Sequence, residues 1–85
     1  MDTLTLMSVH EVLRHGGLRP AGRALGRPAA SMAAAVARME AALATALVQK
    51  AGARLSLTLE ARRLMPDIAL AAGIGRALAE LAVLD

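Results

Sequence analysis

Ten cations, nine of them arginine, stand against seven carboxylates in this 85-residue chain. Arginine is where most of its possible chemistry lies. A guanidinium is always charged, and its planar fork of donors matches a phosphate or the edge of a guanine. Other reactive groups are sparse. There is no cysteine, so there is neither a disulfide framework nor a thiolate metal site. His10 and His15 are five positions apart, whereas a ligand pair on one helical face needs a spacing of three or four and a further ligand. No paired carboxylates, no nucleophile with a neighbouring base and no glycine-rich phosphate loop can be found. Gly73-Ile74-Gly75 has no strand before it. The sequence therefore predicts no enzyme, no metal and no cofactor, and its basic balance points to nucleic acid as partner.

The elements that must hold those arginines follow from periodicity. Leu4 to Arg14 reads as a first helix with Leu6, Val9 and Leu13 on one face, closed by Gly16-Gly17. A short second helix runs from Pro20 to Leu25, with Ala21 and Leu25 inward. Gly26-Arg27 makes a tight turn, and Pro28 opens a third helix that continues to about Ala44. Met32, Val36, Met39 and Leu43 recur at the spacing of one helical face, opposite Ala30, Ala34, Ala37, Arg38 and Ala41, with Ser31 on the flank. From Leu47 the period changes. Arg54-Leu-Ser-Leu-Thr58 alternates, which predicts two short strands around a glycine turn, Leu55 and Leu57 inward and Arg54, Ser56 and Thr58 outward. Thr58 caps a last helix that contains Pro66 and has two apolar rows. One runs through Leu70, Ile74, Ala77, Leu81 and Leu84, the other through Leu64, Ile68, Ala71 and Leu78.

The chain has no Phe, Tyr or Trp, and its 56% hydrophobic content is mostly alanine and leucine. Alanine buries little area, so the core is thin for a monomer and a second chain is expected to complete it. The N-terminus shows no signal peptide, and the apolar run from Ile68 to Gly75 is too short for a bilayer. A soluble, cytoplasmic protein without a membrane partner is the expectation.

In this order the residues fit a known pattern. From Leu4 to about Leu81 the chain resembles, without a gap, the N-terminal winged helix-turn-helix domain of LysR-type transcriptional regulators. Ala21 and Leu25 match the family's "AAxxL"; Val36 and Met39-Glu40 match an aliphatic residue followed by Leu-Glu; Leu43, Leu47 and Lys50 fit; Leu57-Thr58 matches "LTxAG", and Leu64-Met65-Pro66 follows. The resemblance implies a mainly α fold, three helices plus a two-stranded wing, with a long C-terminal dimerisation helix. It divides the chain into a winged helix-turn-helix domain at 1–58 and a linker/dimerisation helix at 59–85. It also implies that the third helix enters the major groove of double-stranded DNA as part of a dimer. The DNA-binding residues would be Arg27, Pro28, Ala30, Ser31, Ala34, Arg38, Lys50 and Arg54. Leu64, Ile68, Leu70, Ile74, Leu78 and Leu81 would form the homodimer.

The departures from the family fall on the base-reading positions. Its Ser-Gln-Pro is Pro28-Ala29-Ala30 here, its Ser-Arg pair is Ala33-Ala34, its wing arginine is Ala53 with Arg54 beside it, and its "AG" is Glu60-Ala61. Gln reads adenine and Arg reads guanine through paired hydrogen bonds that methyl groups cannot make. No effector domain follows Asp85, so no small-molecule effector is expected. The sequence thus predicts a dimeric transcription regulator that binds mainly through arginine–phosphate contacts, Arg19 and Arg23 on the second helix included, with reduced base readout. The alternative is a protein-interaction module that keeps the fold, has lost DNA recognition and pairs with another LysR-type regulator.

Overall fold

The computed structural model describes residues 1–52 and 54–83; Ala53, at the family's wing-arginine position, and Leu84 lie outside them. The order is α1 (Thr3–His15), α2 (Leu18–Leu25), α3 (Ala29–Leu43), β1 (Val48–Ala51), β2 (Arg54–Leu57) and α4 (Leu59–Val83). This is the expected mainly helical fold with a two-stranded wing.

Local chemistry sets the ends. Asp2 caps α1, its Oδ1 accepting the Thr5 N–H at 2.7 Å, and Gly16 closes the helix in the left-handed region at φ 70°. α2 begins two residues before the expected Pro20, with Gly17 at its cap; Pro20 still lies in the first turn, where its missing N–H costs nothing. Pro28, expected as the first helical residue of α3, is instead its N-cap, with an extended ψ of 151°. α3 ends on Ala44, whose φ of 51° makes it the one non-glycine residue in the left-handed region among those described.

The core forms where α1, α3 and the first half of α4 meet. It contains Val9, Val12 and Leu13 from α1, Ala21 from α2, Met32, Ala35, Val36 and Met39 from α3, Leu47, and Ala61 and Ile68 from α4. The methionines fill space that a chain with aromatics would give to rings. Leu43, the last residue of the expected inward row, is 43% exposed, because it lies on the final turn of α3 past the last core contact at Met39. Ala35, absent from the expected row, is buried.

In the wing, Val48 pairs with Leu57, Gln49 with Ser56, Lys50 with Leu55 and Ala51 with Arg54 in antiparallel register. Thr58 departs from its expected outward position: it is buried. Its hydroxyl donates to the Ala46 carbonyl at 2.7 Å and accepts the Ala61 N–H at 3.1 Å, so it closes the wing and caps α4 at once.

The six apolar residues expected at a dimer contact divide. Ile68 is buried and Leu64 half-buried, both against this chain's own core. Leu70, Ile74, Leu78 and Leu81 are all more than half exposed. Gly75 is buried where α4 crosses α1, and an added Cβ would lie 3.0 Å from Thr3 Cγ2, whereas Gly73 faces open space. The chain measures 47 × 24 × 18 Å. A helix of 25 residues alone spans about 37 Å, so the second half of α4 extends past the core with its apolar side uncovered.

Candidate nucleic-acid interface

The turn between α2 and α3 is closely packed against α2. Gly22 is buried against it, and a Cβ at Gly22 would collide with the Arg27 carbonyl oxygen. The Arg27 N–H donates to the Gly22 carbonyl at 2.8 Å, and Gly26 takes the left-handed conformation that reverses the chain, with φ 64°. This closure brings Arg27 beside Arg19 and Arg23 of α2. Together with Pro28 and Ala29, the three arginines line a hollow of about 560 Å³.

That hollow is one end of a longer groove. A second hollow of about 460 Å³ shares Arg19 and Ala29 with the first and reaches Arg54 and Leu55 of the wing. A third, about 250 Å³, shares Leu18, Arg54 and Leu55 with the second and ends at Lys50 and Gly52. Five cations, Arg19, Arg23, Arg27, Lys50 and Arg54, therefore line one continuous strip, and among the described residues no carboxylate lines it. The start of α3 opens onto the same strip. Pro28 offers no side-chain cap, so the partial positive charge of that helix end is unopposed there.

Of the residues expected to touch DNA, Arg27, Pro28, Lys50 and Arg54 are brought together in this groove. Ala30 and Ala34 are exposed on the free side of α3, next to exposed Ala33 and Ala37, and Ser31 is half-buried on its flank. These four alanines present only methyl groups on that side of the helix. Arg38 is held elsewhere: its Nε donates to Thr5 Oγ1 on α1 at 3.3 Å. Asp2 is close enough to sense it. The Asp2 carboxyl is held below its ordinary value first by the Thr5 backbone N–H, with the Arg38 charge adding to the effect.

Two residues with structural roles were not legible as such. Glu40 Oε2 accepts the N–H groups of Leu47 at 2.8 Å and Val48 at 3.3 Å, which ties the first wing strand to α3 and so fixes Lys50 and Arg54 relative to that helix. Its place in the Met39-Glu40 match was visible in sequence, but its partners were not. Glu11 is buried on α1 and binds Arg14 at 3.1 Å and His15 at 3.0 Å. Burial pushes the Glu11 carboxyl up, yet the hydrogen bonds and charges of Arg14 and His15 together outweigh it and hold the group below its ordinary value. Those are the two ion-paired basic side chains among the described residues, and neither lines the groove. Among the described residues no cluster of three or more His, Asp or Glu is placed to hold a metal, and no helix is long and apolar enough to cross a membrane.

Comparison with known proteins adds three findings. The sequence profile of the family described as "Bacterial regulatory helix-turn-helix protein, lysR family" matches residues 5–62. Among curated proteins, none matches the sequence significantly. Several solved structures share the fold. A CbnR_DBD–DNA complex superposes with a TM-score of 0.79 at 15% identity, covering 99% of this chain and 97% of that one. The oxidised form of Corynebacterium glutamicum OxyR gives 0.82 at 15% identity, covering 95% of this chain and 26% of that one. A "probable transcriptional regulator" from Pseudomonas aeruginosa gives 0.75 at 28% identity, covering 94% and 26%. The chain thus spans about a quarter of the latter two proteins.

Proposed function

This chain belongs to the lysR family of bacterial regulatory helix-turn-helix proteins, and from that premise we propose that it binds double-stranded DNA as a homodimer in the cytoplasm and regulates transcription. The observation that carries the reading is the groove of five cations without a carboxylate, running from the α2–α3 turn to the wing. Such a strip attracts a polyanion, and each cation that meets a phosphate releases a counterion from the duplex. The exposed methyl face of α3 supports the second half of the proposal: the helix sits against the groove with little hydrogen-bonded base readout, so affinity rests on phosphates.

The dimer reading rests on α4. Leu70, Ile74, Leu78 and Leu81 are more than half exposed along one side of a single helix. An apolar stripe of that length on a monomer is covered in solution by another protein surface, and a second copy supplies a matching one. Leu64 and Ile68 support the dimer indirectly, by fixing the angle at which α4 leaves the core. Sedimentation analysis tests this half of the proposal: the wild type runs as a dimer, Leu78→Glu as a folded monomer. A wild type that stays monomeric at tens of micromolar contradicts it.

Binding to duplex DNA is tested by fluorescence anisotropy on the same preparations, with Arg19→Glu, Arg23→Glu and Arg54→Glu. Each reversal removes two phosphate contacts from the dimer and is expected to weaken binding by more than about 60-fold at 0.1 M salt. The bare alanine face of α3 favours one second reading, a module that pairs through α4 with another regulator of the same family and does not contact DNA. No DNA affinity in the folded wild type or in any variant would favour that reading, whereas equal affinity of the wild type and all three reversed variants would place DNA binding outside the groove.

A further inference from the structure

Among the described residues, Arg27 is the one groove cation with a side-chain hydrogen bond, and its partner is unusual. Its Nη1 donates to Ser8 Oγ. Ser8 is on α1, fully buried, and its hydroxyl proton is committed to the Leu4 carbonyl at 2.7 Å. With its proton so placed, the oxygen offers only lone pairs to the α2–α3 turn, and the guanidinium is the donor that fills one. One end of Arg27 is therefore pinned in the domain interior, while the same side chain lines the hollow with Arg19 and Arg23.

A half-buried guanidinium with no carboxylate partner is an incomplete arrangement. Desolvation has cost it part of its hydration, and one neutral hydroxyl does not return that. It lines a hollow together with two more arginines, Arg19 and Arg23. An anion entering there meets three guanidinium groups, of which one is already oriented. The rotamer freedom that an arginine normally loses on binding has been removed for Arg27 in advance, by folding.

We propose that Ser8 is a positioning residue for DNA binding: it holds Arg27 as a preset phosphate clamp at the α2–α3 turn. This rests on the DNA-binding reading above and adds to it a buried residue on α1 that touches no DNA. Ser8 acts only through Arg27, which sets the pattern expected of variants. Counterion release assigns about 0.9 units of log–log salt slope to one phosphate contact, or about eightfold in affinity at 0.1 M salt. Loss of Arg27 removes the whole of that contact. Loss of Ser8 leaves the charge but frees its orientation, a part of the same effect.

The test is a double-mutant cycle on duplex DNA by fluorescence anisotropy, with the full chain, well below the melting temperature of every variant. In the homodimer two such contacts are lost, so Arg27→Ala is expected to flatten the salt slope by about 1.8 and weaken binding about 60-fold at 0.1 M salt. Ser8→Ala weakens binding by a smaller factor with the slope kept, and in the Arg27→Ala background it has no further effect. Arg76→Ala, an exposed α4 cation outside the groove, leaves both quantities unchanged and serves as the control. Wild-type affinity in Ser8→Ala, or the same loss in both backgrounds, overturns the proposal and leaves the DNA reading intact. A wild type that binds no duplex even at low salt removes both.

Discussion

Replacing Glu40 tests how the wing is attached. Its Oε2 accepts two backbone N–H groups, from Leu47 at 2.8 Å and Val48 at 3.3 Å, and Leu47 is fully buried. In Glu40→Ala the Leu47 amide lies in the interior without a partner. A hydrogen bond to a charged group is worth about 1.5–3 kcal/mol, and an orphaned buried amide costs about 1–3 kcal/mol. The longer Val48 contact adds less, so the variant should lose about 2–4 kcal/mol in total. For a domain of this size that lowers Tm by roughly 10–25 °C. Glu40→Gln keeps an acceptor oxygen and loses only the charge, so its drop is less than half as large. Thermal melts followed by circular dichroism, together with hydrogen exchange at Leu47 and Val48, read both numbers. If Glu40→Ala melts within about 2 °C of wild type, or Glu40→Gln is equally destabilised, the carboxylate does not hold the wing and does not fix the Lys50–Arg54 edge.

Other outcomes follow from the same structure. Ala44→Gly relieves a left-handed alanine and is expected to stabilise by about 0.5–1 kcal/mol, net of glycine's added chain entropy; a lower Tm contradicts this. Ile68→Ala opens a cavity beneath α4 and costs about 2–4 kcal/mol, while Leu70→Ala, on the exposed row, changes the dimer dissociation constant and not the stability of the monomer; denaturant titration against protein concentration separates the two. The Asp2 and Glu11 carboxyls both titrate below their ordinary values of 3.8 and 4.5 in the folded state. Their contribution is fully present above those values and is lost as pH falls through the depressed folded ones. Melts between pH 2 and pH 6 should therefore show a stability decline that is shallower in Asp2→Asn and Glu11→Gln.

The sequence carried the architecture well because its signals were local. The Gly16-Gly17 and Gly26 breaks, the alternation after Arg54 and the cap at Thr58 each depend on a few neighbouring residues. Contacts between distant residues were less legible. Ile68 and Leu78 belong to one apolar row by spacing, yet the row leaves the core between them, and only the length of α1 decides where. Arg27 and Arg38 looked equivalent as charges near α3. The turn directs Arg27 to the groove and Ser8, while Arg38 reaches Thr5 on α1. Glu40 was placed by its family match, but its partners lie seven and eight residues away across a bend. The strip of cations depended on α2, α3 and the wing packing together, which no single periodicity describes.

On the proposed function, affinity resides in the cationic groove and not on the face of α3. This is tested most directly by anisotropy titrations of one protein preparation on two duplexes of equal length and unrelated sequence, across a salt series. Ten groove cations in a dimer, five per protomer, bound the slope of log affinity against log salt at about −9, and contact by half of them gives about −4 to −5. The expected slope is at least that steep on both duplexes, with affinities that agree within about tenfold, less than the gap that normally separates specific from non-specific binding. A shallow slope, a large preference for one duplex that survives at high salt, or no binding by the folded dimer would contradict it.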